Sequence, residues 1–123
     1  MPHNSRPSRP ANPSIPPLPD MSLPPLLGGE IRETVPDRVP LTRLFIAYRA
    51  PVYGDPALDP LDLASQLLSG GKSSRLHKRL VREERLAQEI DCGSWGFVGG
   101  ASVFLAIATV RPGVDPAALE AAF

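Results

Sequence analysis

The 123-residue sequence predicts an α+β fold in which an antiparallel sheet is packed with helices on one face. Three observations carry this. Apolar periodicity gives the order strand, helix, helix, strand, strand and an opening helix. The last two strands are separated only by the glycine-rich run Gly96 to Gly100, short enough for a hairpin, which makes them antiparallel neighbours. The full helical segments number two, enough to cover one face of a small sheet and not both.

The folded part begins late. Eleven of the sixteen prolines lie within the first forty residues, and "SIPPLPDMSLPPLL" fixes φ repeatedly while removing amide donors, which favours extended polyproline II over helix or ladder. Residues 1–40 are therefore expected to be a proline-rich linker or disordered tail. Residues 41–123 hold the core, near the lower size at which one core is self-sufficient.

"LTRLFIAYRAP", Leu41 to Pro51, alternates Leu44, Ile46 and Tyr48 on one face with Phe45 and Ala47 on the other, and reads as a strand covered on both sides, or on one side along much of its length. A turn, "YGDPALDP", follows, with Asp59 as N-cap and Pro60 at the first helical position. Leu61, Ala64, Leu67 and Leu68 recur at helical spacing until Gly70-Gly71 stop the helix. Ser73 or Ser74 starts a second helix with Leu76, Leu80 and Ala87 on one stripe and Val81 beside it. Its other faces carry six Lys or Arg residues between Lys72 and Arg85, against Glu83 and Glu84. A strand around Gln88 to Trp95, a second from Ser102 to Val110, and an Asp115-Pro116 helix start complete the chain. Val103, Leu105 and Ile107 point one way from the last strand, and Phe104, Ala106, Ala108 and Val110 the other. With one face left open, the isolated chain is expected to self-associate or to be poorly soluble.

Chemistry is mostly excluded. "SGGKSS", Ser69 to Ser74, has the Gly-Lys-Ser of a phosphate loop, but Gln66 stands where its first glycine belongs and a helix, not a strand, precedes it. The histidines, His3 and His77, have no ligand partners at metal spacing; Val81 occupies the position four past His77. No metal site and no catalytic residue is assigned. Cys92 is the single cysteine and reads as a buried thiol. Thirteen basic and thirteen acidic residues cancel, and no aromatic interleaves with the basic helix, so no nucleic-acid partner is implied. No run is long enough to span a membrane. No apolar h-region follows the N-terminal arginines, which leaves periplasmic and cytoplasmic bacterial settings both open.

"LLSGGKSSRLHKRLVREERLAQEI" resembles the signature segment of the M16 metallopeptidases, the insulinase and mitochondrial processing peptidase family. "RLFIAYRAP" before it, and the Trp-Gly and "RPGVDPAALEAA" words after it, resemble that family's C-terminal-type domain in the same order. The resemblance runs from about Leu41 to Phe123, where the chain stops two turns into a helix, and it implies the front part of such a domain. It also implies that zinc is held by a His-x-x-Glu-His helix in another domain or subunit, so that this chain needs no cofactor of its own. In the family's C-terminal copy an Arg and a Tyr, in the pattern Leu-Arg-x-x-x-x-Leu-Ala-Tyr, hold the substrate peptide. Aligned on Leu86-Ala87, those positions are Val81 and Gln88 here. Arg82 is one residue from the Arg position, about 100° round an α-helix, and Gln88 keeps both a donor and an acceptor. Gln88 and Arg82 are accordingly the candidate substrate-binding residues.

The resemblance thus implies a non-catalytic, peptide-enclosing domain of an M16-like zinc metalloendopeptidase, not an enzyme by itself. Its partners would be a catalytic M16 domain or homologous subunit and a peptide substrate, with a homo-oligomer compatible with the same surface. The alternative is a stand-alone interaction module whose proline-rich tail docks on an aromatic groove and which has no proteolytic role.

Overall fold

The structure is a computed structural model that describes residues 16–17, 19–24 and 28–123. The proline-rich expectation for residues 1–40 therefore falls in part, with His3, outside the described residues. Those that are described before Arg43 form neither helix nor strand. They are tied to the domain by contacts that include the Arg49 side chain donating to the Pro24 carbonyl, Arg32 pairing with Glu120 at 2.5 Å, and the Val110 amide donating to the Thr42 carbonyl at 2.9 Å.

The order of elements is strand β1 (Arg43–Ala50), helix α1 (Leu58–Ser69), a π-helix (His77–Glu83), strands β2 (Ala87–Trp95) and β3 (Ser102–Val110), and helix α2 (Pro116–Ala122). The sheet has the order β1-β3-β2 and is antiparallel throughout. The β2–β3 hairpin forms as the glycine run implies, with Gly99 and Gly100 at φ +82° and +71°. β3 is the central strand, hydrogen-bonded on both edges, and its sequence is apolar on both faces.

Register sorts the two faces. Ile90 and Cys92 of β2 lie beside Ala108 and Ala106 of β3, which in turn face Leu44 and Ile46 of β1. On this face the sheet meets Leu76, Leu80 and Leu119, and every buried core residue of the sheet belongs to it. Small alanines at the centre of β3 let the helices approach closely. The opposite face has four rows: Arg43, Thr109 and Glu89; Phe45, Ile107 and Asp91; Ala47, Leu105 and Gly93; Arg49, Val103 and Trp95. Of the two readings of β1, coverage on one side is the one seen: Leu44 and Ile46 pack against the core, and Phe45 is 58% exposed on the open face. Tyr48, although on the helix side, lies beyond the helices and is 57% exposed.

Two helix starts behave differently. Asp115 caps α2 as expected, its carboxylate accepting from the Ala117 amide at 2.9 Å with Pro116 next. For α1 the start moves to the preceding Asp-Pro: Asp55 accepts from the Ala57 amide through its side chain and from the Leu58 amide through its carbonyl, both at 2.9 Å. Asp59 is thus already helical. Pro60 is tolerated because the first-turn amides have no intrahelical acceptor to lose. On α1 the buried positions are Leu58 and Ser65, while Leu67, expected inside, is 59% exposed. The second helix also differs: from His77 to Glu83 it is a π-helix, and Ala87 belongs to β2 although it is buried as the stripe required.

Candidate functional site

The Gly70-Gly71 corner spends its amides internally. The Gly70 amide donates to the Gln66 carbonyl at 2.8 Å, Gly71 to Ser69 at 2.7 Å, and Ser74 to Gly71 at 3.1 Å. Gly70 sits at φ −67°, ψ 64°, the centre of an inverse γ-turn. A phosphate loop needs its amides free and convergent, whereas here the Gly70, Gly71 and Ser74 amides are spent in ending one helix and starting the next. Ser74 starts the next helix differently from a usual cap, because its hydroxyl donates back to the Gly71 carbonyl at 2.7 Å.

Among the described residues no group of three or more His, Cys, Asp or Glu side chains is arranged to hold a metal ion. His77 has a buried Nδ1 without a hydrogen-bond partner and no ligand companions. The zinc that the resemblance implies for another domain or subunit has no set of ligands among the described residues of this chain. Cys92 is buried, and burial pushes its thiol above the usual range. It lines an open groove of about 540 Å³ between α1 and β2. Several of the groove's polar groups are engaged: the Ser94 hydroxyl donates to Asp62, and the Cys92 amide donates to the Ser69 hydroxyl at 2.7 Å. The Ser69 and Ser94 links join distant segments and had no signature in the sequence.

The two candidate substrate-binding residues flank the passage from the π-helix into β2. The Glu84 amide donates to the Arg79 carbonyl at 2.8 Å, five residues back, and Leu86 donates to Leu80 at 2.9 Å, six back. Arg85, at φ +55°, reverses the chain. Leu86 then accepts from the Arg111 amide at 3.0 Å, and the ladder begins with Ala87 opposite Val110. The next paired residue is Glu89, opposite Thr109, so Gln88 is the extra residue of a β-bulge. A bulge re-aims its side chain, and Gln88 is exposed.

Arg82 is also exposed, whereas Val81 is half-buried against the core. The π geometry changes the angular argument. At about 82° per residue, Arg82 lies five residues past His77 and about 50° beyond a full turn. In an α-helix at about 100° per residue, Val81 would lie about 40° beyond it. Relative to His77, Arg82 thus takes roughly the direction that an α-helix would give to Val81, but it remains about 82° round the helix from Val81 itself, close to the expected one-residue rotation. The neighbouring acids are engaged elsewhere, Glu83 with Lys78 at 3.8 Å and Glu84 with Arg79 at 2.7 Å. Arg82 makes no ion pair among the described residues. The structure thus presents a guanidinium and an amide on either side of one turn, with no hydrogen bond between them.

A family model described as the peptidase M16 inactive domain matches residues 3–123. Among solved structures, a protease from Helicobacter pylori is similar, with a TM-score of 0.65 and 34% sequence identity. The alignment covers 70% of this chain and 21% of the other, so the chain spans about a fifth of that protein's length. No curated protein matches.

Proposed function

From a chain that belongs to the family of the peptidase M16 inactive domain, we propose a non-catalytic domain that encloses and positions peptide for an M16-like zinc metalloendopeptidase. The family match along residues 3–123 carries this reading. The zinc site and the catalytic base belong, on this reading, to a catalytic domain or a homologous subunit. Peptide contacts this chain at Gln88 and Arg82. Gln88 offers an amide that both donates and accepts, suited to a peptide backbone. Arg82 offers a fixed positive charge suited to a peptide carbonyl or carboxylate. The bulge and the π-helix are what turn these side chains outward, and both irregularities recur at functional sites.

The test is fluorescence anisotropy of a fluorescein-labelled, unstructured twenty-residue peptide titrated with the purified chain. Binding is expected to weaken about fivefold in Gln88→Ala and in Arg82→Ala, the loss of one hydrogen bond in each. The peptide should remain intact when zinc is added. Unchanged affinity in both variants with native circular dichroism would remove the assigned contacts, and cleavage by the purified chain would overturn the non-catalytic role.

A further inference from the structure

The sheet face opposite the helices has opposite charges on its two margins. β1 contributes Arg43 and Arg49, the latter already donating to the Pro24 carbonyl, β2 contributes Glu89 and Asp91, and Val103, Leu105 and Ile107 of β3 between them are apolar. No helix packs on this face among the described residues, and Phe45 and Trp95 on it are 58% and 44% exposed. Trp95 folds back over Gly93, with its ring atoms Cζ3 and Cη2 at 3.9 Å from where a Cβ of Gly93 would lie. The indole therefore forms a flat apolar surface beside Leu105.

We propose that this face binds a second copy of the chain, face to face, about a two-fold axis parallel to β3. Rotation about that axis exchanges the margins without shifting the rows. Arg43 of each copy then stands over Glu89 of the other, from the same row of the sheet. Leu105 and Ile107 meet their own equivalents along the axis. Phe45 lies one same-face row, about 7 Å, from Gly93 of the opposing copy, within reach of the indole that covers it. An axis perpendicular to the sheet would turn the two faces the same way instead of toward each other. An in-plane axis perpendicular to the strands would set Arg43 and Arg49 over one another and Glu89 over Trp95. Charge thus selects one arrangement.

Three strands and four same-face rows give about 400 Å² of contact per copy, at the low end for association between proteins. The dimer is therefore weak and reversible, forming at tens to hundreds of micromolar. A second copy on this face leaves Arg82, on the π-helix packed against the opposite face, outside the contact.

Sedimentation velocity of the full 123-residue chain over a concentration series tests the proposal. A monomer–dimer equilibrium is expected. Arg43→Glu and Glu89→Arg each weaken it about tenfold by setting like charges opposite one another, and the double variant Arg43→Glu with Glu89→Arg restores it. Both sites are exposed, so the variants keep the native fold, which circular dichroism checks. A chain that stays monomeric at about 500 µM, above the range of this weak interface class, overturns the proposal. So does a dimer indifferent to either single reversal, or one that the double reversal fails to rescue.

Discussion

Replacing Gly70 by alanine tests the helix end directly. The residue does not need glycine for its φ, which at −67° suits any amino acid. It needs glycine for space: a Cβ would stand 2.4 Å from the Gln66 carbonyl oxygen and 2.7 Å from Gln66 Oε1. The side-chain oxygen can swing away, but the carbonyl is held by the Gly70 amide itself at 2.8 Å. Relief means opening the last turn of α1, which loses that hydrogen bond and strains its neighbours, about 2–3 kcal/mol in all. For a domain of this size each kcal/mol lowers the melting temperature by about 4–8 °C, so Gly70→Ala should lower it by about 10–20 °C. Two controls separate the causes. Gly71 has φ +105° and nothing within 4 Å of a Cβ, so Gly71→Ala carries only backbone strain, about 1–2 kcal/mol. Gly28 has neither problem, and Gly28→Ala should stay within about 0.5 kcal/mol. Thermal unfolding followed by far-ultraviolet circular dichroism measures all three. A Gly70→Ala variant as mild as Gly28→Ala would refute the close approach and the helix end built on it.

Further outcomes follow from the same geometry. Millimolar ATP should leave the melting temperature of the chain and of Lys72→Ala unchanged, because the corner amides are already bonded; a shift with ATP that Lys72→Ala abolishes would revive a phosphate site. Ser69→Ala should cost about 1–2 kcal/mol and accelerate hydrogen exchange at the Cys92 amide, which loses its acceptor; unchanged exchange would mean that the serine bridge is unimportant. Burial raises the Cys92 thiol above the usual thiol range, so the folded state keeps its proton when the unfolded state loses it. The associated stability is fully present below the unfolded pKa and declines as pH rises past it. Cys92→Ala should flatten that alkaline decline in urea titrations between about pH 8 and 10, and an identical decline would count against the burial argument.

Local chemistry made much of the fold legible. The limits of β3 follow from its apolar run, and the cap of α2 from the adjacency of Asp115 and Pro116. The α1 start was misplaced because the sequence offers two Asp-Pro pairs, and only tertiary packing of Leu58 into the buried layer selects the earlier one. The π-helix was not legible: its wider turn has no composition signature, and Leu76, Leu80 and Ala87 satisfy an α-helical stripe while Ala87 is in fact paired to Val110. That single difference shifts the direction of Arg82 relative to His77, while leaving it about 82° round the helix from Val81. Gln88 was located by resemblance, but its bulge depends on how β2 and β3 register, a relation between segments more than ten residues apart. The exposure of Phe45 and Leu67 was hidden for a similar reason, since periodicity tells which residues share a face and not whether anything covers it.

The indole lying over Gly93 makes the open sheet face optically addressable. Trp95 is the sole tryptophan, so its emission comes from one place on the molecule, the acidic margin of that face. With the ring 44% exposed, its spectrum in the free chain should be that of a partly hydrated indole, and anything that covers the face must displace water from the same ring and move the emission to shorter wavelength. Occupancy of the surface can thus be followed without a label, at concentrations chosen freely, and separately from events at the Gln88 end of the strand.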